Sequence, residues 1–423
     1  MKKILLLGSG GREYTMAWKI SKSLIPHHLF IAPGNGGTDA YGKNLPFGYN
    51  DFESIIHFVT SEKIDLVIVG PEEPLVNGLA DELSHIGVPV CGPNKAGAIL
   101  EGSKVYAKQF MSESGIPTAA YRSFSANQID EAKEFLKQID PPYVIKADGL
   151  AAGKGVLICQ SLEEAFSALD DVIKIKKFGS AGNQVVIEQF LRGTEFSVFI
   201  ATDGDRYVLL PEAKDYKRVG EGDTGLNTGG MGAVSPVPFF DEELRTKVIQ
   251  RIIEPTLAGL KQRGVTYRGF IFFGLMNVDG NPYVIEYNCR LGDPETEVIL
   301  PRLDEDFLQL CFDVALGNIV ENRQAHVLQK HAATVMLVSG GYPEAYAKGF
   351  PITLPEVLEE NILLIHAGTL RKDNQILTNG GRVLSVTAFD HSLQEALNKS
   401  YNTIEKIHFQ QMYFRRDIGY EFM

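Results

Sequence analysis

Four short apolar runs in the first hundred residues, at 4–7, 29–32, 66–69 and 88–91, each stop at glycine or proline. Runs this short suit strands buried on both faces rather than helices. Segments 12–23 and 52–62 fit helices between them. That alternation predicts a parallel βαβ sheet with helices on both faces. The first run follows Met1-Lys2-Lys3 and ends at Gly8-Ser9-Gly10-Gly11-Arg12, too soon for the apolar core of a signal peptide. No later stretch approaches the ~20 apolar residues of a membrane span.

At 423 residues the chain exceeds one core, and two to four domains are expected. Segment 100–114 reads as a helix leading through Gly115-Ile116-Pro117 into a smaller α+β unit, 118–192. Its expected strands are 143–146, 155–159 and 185–190, with a helix over 162–177. Beyond it, 195–202 pairs with 207–211 across Asp203-Gly204-Asp205, and 270–278 pairs with 282–288 around Asp279-Gly280. A glycine-rich loop at 219–232 and a helix near 242–263 lie between these hairpins. A last unit, 328–423, carries strands at 333–338, 362–366 and 382–388 and a helix at 392–407. The net charge of -12 and a pI near 5.3 argue against nucleic acid or an anionic membrane as the main partner. Cys91, Cys159, Cys289 and Cys311 form no close pair in sequence and no zinc spacing, which points to a reduced, cytoplasmic setting.

Several loops have residue types suited to phosphate chemistry. Gly8-Ser9-Gly10-Gly11-Arg12 joins a strand to a helix, where glycines admit a phosphate and helix-end amides supply donors. Glu13 stands where a dinucleotide fingerprint requires glycine, so a phosphorylated sugar fits better than a nicotinamide cofactor. A tight turn without a ligand reads the same way. Lys146-Ala147-Asp148-Gly149-Leu150-Ala151-Ala152-Gly153-Lys154-Gly155 lies between two strands and lacks P-loop spacing; it suits a strand-loop-strand flap closing over a triphosphate. A glycine-rich hairpin with solvated lysines is the plainer alternative. Glu188-Gln189-Phe190, followed by Glu195, suits an adenine slot, with backbone for the base and a carboxylate for ribose hydroxyls. Lys217 and Arg218 offer cations beside the glycine-rich run Asn227-Thr228-Gly229-Gly230-Met231-Gly232. Glu286 and Asn288 alternate at the end of an apolar strand, so both aim at one face and offer hard oxygens to Mg²⁺. Arg290 keeps that parity and adds a fixed cation.

Taken in order, Gly8 to Glu13, Val69-Gly70-Pro71-Glu72, the 146–156 loop, the 227–232 loop, Arg290-Leu291-Gly292-Asp293-Pro294-Glu295 and Thr378-Asn379-Gly380-Gly381-Arg382-Val383 resemble the ATP-grasp ligases. Within them the chain is similar to the phosphoribosylamine–glycine ligases along essentially its whole length. The resemblance implies an α/β and α+β multidomain fold. It comprises a Rossmann-like N-terminal domain (1–117), an ATP-grasp flap (118–192) and core (193–327), and a small C-terminal domain (328–423). It also implies that ATP, glycine and 5-phosphoribosylamine give ADP, phosphate and glycinamide ribonucleotide through glycyl phosphate, with Mg²⁺ or Mn²⁺. Catalysis would fall to Lys146 and Arg290. ATP would meet Lys104, Lys146, Gly149, Gly153, Lys154, Gly155, Glu188, Gln189, Phe190 and Glu195, and the metal Glu286 and Asn288. The other substrates would meet Gly10, Gly11, Arg12, Glu72, Asp215, Thr228, Gly229, Arg290, Asp293 and Arg382. A monomer without nucleic-acid or membrane partners is expected. The competing readings are another ATP-grasp carboxylate–amine ligase of purine synthesis and a non-catalytic nucleotide sensor on the same fold. The chain departs from the general ATP-grasp pattern at Gly274, where a second acidic metal ligand usually stands, and from the pattern of these ligases at Tyr14-Thr15, where His-Ala is usual.

Overall fold

A computed structural model describes residues 1–150, 155–173, 175 and 183–423. The opening alternation forms a five-stranded parallel sheet in the order Lys43–Asn44, His27–Pro33, Lys2–Gly8, Leu66–Val69, Val90–Cys91. Strand order reverses at Lys2–Gly8, and the crevice beyond the carboxyl ends of the strands at such a point is where α/β sheets bind ligands. Gly8 ends one of the two strands on either side of it, and Gly70 directly follows the other.

The flap is an antiparallel sheet ordered Tyr121–Ser125, Gln184–Gln189, Tyr143–Ala147, Val156–Cys159, backed by helices Ile129–Leu136 and Leu162–Ile173. In the core, Thr194–Thr202 pairs on one side with Tyr207–Leu209 and on the other with Gly269–Val278, which in turn pairs with Asn281–Asn288. Asp279 and Gly280 both have positive φ (49° and 75°), so the tight turn expected from an Asp-Gly pair forms. A fourth sheet, ordered Lys214–Asp215, Gly232–Ser235, His331–Val338, Arg382–Asp390, Ile362–His366, joins two strands of the core segment to three of the C-terminal segment. One hydrophobic cluster runs from Leu5 and Val69 in the first sheet through Phe110 to Phe196 and Phe273 in the core, so the two sheets are packed together rather than strung on a linker.

Three expected elements take another form. The helix expected at 100–114 is two, Lys95–Gly102 and Lys104–Glu113, because Ser103 is extended (φ -142°, ψ 117°) and its hydroxyl accepts from the Tyr106 amide. The helix expected at 242–263 widens into a π-helical stretch at Ile249–Ile253. Pro255 follows it and offers no N–H, which a wider turn accommodates. The loop at 219–232 contains a hairpin, Arg218–Gly220 with Thr224–Asn227, turned by Gly222 and Asp223 at positive φ.

The break at Ser103 yields a prediction, since the serine caps the second helix and also donates to Asp148 at the root of the flap (3.0 Å). Losing a serine cap costs ~1 kcal/mol, so Ser103→Ala lowers the melting temperature by about 1 °C. A thermal melt with no shift would show that the cap is idle.

Candidate active site

Flap, core and first domain face one another across a cleft of about 360 Å³. On its flap side, Lys146 leaves the end of a buried strand and places its ammonium 2.9 Å from Glu188. Lys108 approaches the other oxygen of Glu188 at 2.9 Å and donates to Thr118 Oγ1 at 2.7 Å. All three charged groups are buried. Burial pushes Glu188 up, but the two ammoniums outweigh it and hold the carboxylate below its ordinary range. Burial pushes Lys108 down to about 8 despite Glu188. Lys104 donates to the carbonyl of Gly149 at 3.0 Å, and Asp148 accepts from the Ser103 hydroxyl and the Val105 amide, so the flap root is tied to the helix break.

The core side is the strand Asn281–Asn288. Its register against Gly269–Val278 slips by one residue between Leu275–Val284 and Gly274–Glu286, leaving Ile285 as a bulge. The bulge turns the Ile285 carbonyl to Lys146, which donates to it at 3.2 Å. Glu286 and Asn288 both line the cleft, as their parity predicts. The Asn288 amide nitrogen donates to the Tyr287 carbonyl (2.6 Å), so its oxygen is the atom left to face the cleft. Carboxylate and amide oxygens fit a hard divalent ion, although the described residues contain no cluster of three His, Cys, Asp or Glu suited to a metal.

The loop after that strand connects the cleft to the other domains. Arg290 donates to Glu72 (3.2 Å), to Glu101 (3.0 Å) and to the Leu291 carbonyl (3.3 Å). Burial pushes Glu72 up, but the Arg290 and Arg12 guanidiniums hold it down to about 2. Arg12 is paired with Glu13 at 2.6 Å and donates to the Leu291 carbonyl. Asp293 accepts from the Arg12 amide (3.3 Å) and pairs with Arg382 (3.0 Å). Glu13, which stands in place of the dinucleotide glycine, accepts from the Gly10 amide at 2.6 Å and so closes the loop from within. On the remaining wall, Lys217 lies 2.9 Å from Glu195 and 3.6 Å from Asp215. Burial would lower the Lys217 pKa, but the charges of Asp215, Glu195 and Glu286 raise it.

A second cavity of about 510 Å³ opens between the first domain and the C-terminal lobe. Ser9, Gly10 and Gly34 line one side, and Gly368, Thr369 and Asn379 the other. Asn35 spans them by donating to the carbonyls of Ser9 (3.0 Å) and His366 (2.8 Å). Asp293 and Arg382 line both cavities.

Most of the expected site residues therefore meet in these two spaces. Arg12, Glu72, Lys104, Lys146, Gly149, Gly155, Glu188, Asp215, Thr228, Gly229, Glu286, Asn288 and Arg290 line the first. Gly10 lines the second. Gln189, Phe190 and Glu195 are in neither lining; Glu195 meets the cleft through Lys217. Gly11 packs against Glu297 and Ile365, so its missing side chain makes room for a carboxylate of the protein itself. Arg218 turns away and donates to the Gly225 carbonyl. Gly153 and Lys154, with the rest of 151–154, lie outside the described residues. Sequence reasoning missed Glu101, Lys108 and Glu295. Lys108 was findable, four residues after Lys104 on the same helix face. Glu295 and Glu297 are buried carboxyls that burial pushes up to about 8, with the charges of Asp215 and Asp293 respectively adding to the shift. Glu295 stands in the Arg290–Glu295 run, but no local pattern marks either carboxyl as buried.

A flap sheet and a core sheet that close lysines and a hard-oxygen pair onto one cleft define an ATP-grasp ligase. The chain belongs to the phosphoribosylglycinamide synthetase family, matching its N domain over residues 2–101, its ATP-grasp (A) domain over 102–296 and its C domain over 332–421. It is 44% identical over 421 residues to a phosphoribosylamine–glycine ligase of Leptospira interrogans, covering 99% of this chain and 98% of that one. It is 46% identical over 426 residues to that of Chlorobaculum tepidum, covering 99% of each. The crystal structure of a phosphoribosylamine–glycine ligase from Thermotoga maritima superposes with a TM-score of 0.85 at 39% identity, covering 98% of this chain and 99% of that one. A biotin carboxylase from Campylobacter jejuni shares the fold at 16% identity, with a TM-score of 0.75, covering 98% of this chain and 93% of that one.

The Glu72 environment predicts a pH dependence. A carboxylate held at about 2 in the folded state, against an ordinary 4.5, adds stability above pH 4.5 that fades as pH falls towards 2. The stability advantage of the wild type over Glu72→Gln is therefore constant from pH 5 to 7 and shrinks below pH 4.5. Urea midpoints measured across that range check it; an advantage that grows on acidification refutes the pairing.

Proposed function

We propose that this enzyme ligates glycine to 5-phosphoribosylamine at the expense of ATP, giving glycinamide ribonucleotide, ADP and phosphate. The observation that carries the reading is that the lysine-lined cleft and the glycine-walled cavity share Asp293 and Arg382. A triphosphate in the first and a phosphosugar in the second would thus meet at one place.

On this reading Lys104 and Lys146 take the ATP phosphates, and Glu188, freed from one lysine, keeps the other. Glu286 and Asn288 would hold Mg²⁺ or Mn²⁺, which supplies charge neutralisation at the β- and γ-phosphates when bound. Glycine lies against Asp215, Thr228 and Gly229. Its carboxylate oxygen bonds to the γ-phosphorus as the bond to ADP breaks, and Arg290, fixed by Glu72 and Glu101, faces the transferring group. The amine of phosphoribosylamine, presented from the second cavity, then attacks the acyl carbon; phosphate leaves and the amine loses a proton. Gly10 and Arg382 in the second cavity, with Arg12 on the adjoining wall of the cleft, would meet the phosphoribosyl end. Alignment and charge carry such a transfer more than a strong acid or base. We further infer a functional division at residues 117, 192 and 327, and a monomer in a reduced cytoplasm, where the four free, buried cysteines would stay thiols.

ADP is expected to form in step with glycinamide ribonucleotide, only when glycine and freshly made phosphoribosylamine are both present. A coupled assay with each omitted in turn tests this; AMP as product, or undiminished ADP without the amine, rejects it, and binding of ATP without any turnover would favour the sensor.

Glu286→Gln should lower kcat by about 10²-fold or more while the melting temperature holds, because an amide cannot replace the charge at the metal. Near-normal kcat at saturating Mg²⁺ would place the metal elsewhere.

A further inference from the structure

The proposed glycine wall is one extended segment whose side chains alternate. Asp215 and Lys217 face the cleft. Tyr216 turns the other way, into the core of the C-terminal lobe, and Lys214 shares its parity. Both are gripped by a single carboxylate about two hundred residues later in the chain. The Tyr216 hydroxyl donates to Glu421 Oε2 at 2.8 Å, and the Lys214 ammonium lies 2.9 Å from Glu421 Oε1. The buried Tyr216 ring is held between the Lys214 ammonium, 4.4 Å from its centroid, and the Arg415 guanidinium at 5.3 Å. Arg415 is itself fully buried, paired with Asp417 (2.8 Å) and Asp223 (2.6 Å), and it donates to the Arg218 carbonyl. The segment that carries Asp215 and Lys217 is thus anchored from behind, by side chains that touch neither cavity.

We propose that Glu421 is a positioning residue for the amino-acid substrate: by holding Lys214 and Tyr216 it sets how far Asp215 and Lys217 reach into the cleft. This rests on the reading that Asp215 takes glycine. The physical reason is geometric. Lys217 sits between Glu195 and Asp215 at 2.9 and 3.6 Å, and a strand slip of ~1 Å would release one of them. Apart from Glu195, which pairs with Lys217, the residues assigned to ATP and to the phosphosugar lie on other walls, so the effect should fall mainly on glycine.

The test is steady-state kinetics for all three substrates, with thermal melts, on Glu421→Ala, Tyr216→Phe, the double variant and Asp215→Asn in the full chain. Glu421→Ala should raise the KM for glycine by about tenfold, the size of one lost charge-assisted hydrogen bond, and Tyr216→Phe by somewhat less. The KM for ATP should move less than about twofold. The double variant should be no worse than Glu421→Ala, because the hydroxyl acts through the carboxylate. A lower melting temperature with an unchanged KM for glycine, or an equal rise for all substrates, would reduce Glu421 to a structural tie and overturn the inference. Should Glu421→Ala fail to fold, Tyr216→Phe, which removes one oxygen and leaves the ring, decides alone. An unchanged glycine KM in Asp215→Asn, by contrast, would overturn the glycine reading itself, and the inference with it.

Discussion

Asp293 is the point at which the molecule's parts are joined. One oxygen faces the amide of Arg12 at the start of the first domain's helix, and the other pairs with Arg382 from the C-terminal lobe. Arg382 also donates to the carbonyls of Asp293 (2.7 Å) and Gly229 (2.6 Å), so a single guanidinium links the ATP-grasp core, its glycine-rich loop and the last sheet. Burial pushes Asp293 up, yet the neighbouring guanidiniums win and hold it below the ordinary carboxylate range. Breaking a buried pair by deleting one partner costs ~3–5 kcal/mol, because the survivor stays charged without water. Both cavities are walled by these same two residues, so their shape depends on the pair as much as the domain arrangement does.

The same accounting explains how a chain of net charge -12 can present a polyphosphate site. Three of the lysines that line the cleft, Lys108, Lys146 and Lys217, are held by internal carboxylates. Glu188 serves two ammoniums at once and Asp215 and Glu195 share a third, Lys217. On the proposed reading, a triphosphate entering here would replace protein carboxylates as the partner of cations that are already desolvated. Charge pairing of this kind is preorganisation: the cost of burying the lysines is met during folding rather than at binding.

Local physics made part of this visible in advance. The strand at 66–69 and the helix at 52–62 are where periodicity places them, and the Asp279-Gly280 turn follows from dihedral preference alone. The parity of Glu286 and Asn288 survives because the bulge at Ile285 precedes both. The rest depends on partners far away in sequence. Nothing near Ser103 announces that Asp148 will anchor it, and the short strands at 214–215 and 232–235 exist because the C-terminal lobe lends them a sheet edge. Tyr14 belongs to this class as well. It lies in neither cavity lining, its ring packs on Tyr41 (5.3 Å) and His366 (5.5 Å), and its hydroxyl meets that of Tyr41 at 3.3 Å. Its departure from the family's histidine is therefore answered by neighbours in a turn of the first domain and on a strand of the C-terminal lobe.

Gly274 is the departure nearest the chemistry, and the register explains what it permits. It pairs directly with Glu286, and a Cβ at this glycine would lie 2.9 Å from the Glu286 Cγ. Any side chain here, a carboxylate included, would push Glu286 off its present course. The strand pair can offer the cleft Glu286 unhindered or a second acid opposite it, but not both in this geometry. With glycine at 274 the strand pair would offer a metal one carboxylate and one amide oxygen, and an ion at that face would take its other ligands from phosphate oxygens and water. Mg²⁺ tolerates that division well, since it keeps part of its hydration shell and prefers substrate phosphates to an all-protein cage. The metal's hold on the site would then depend on the nucleotide being there, and two ligands from one strand become a means of coupling metal binding to ATP.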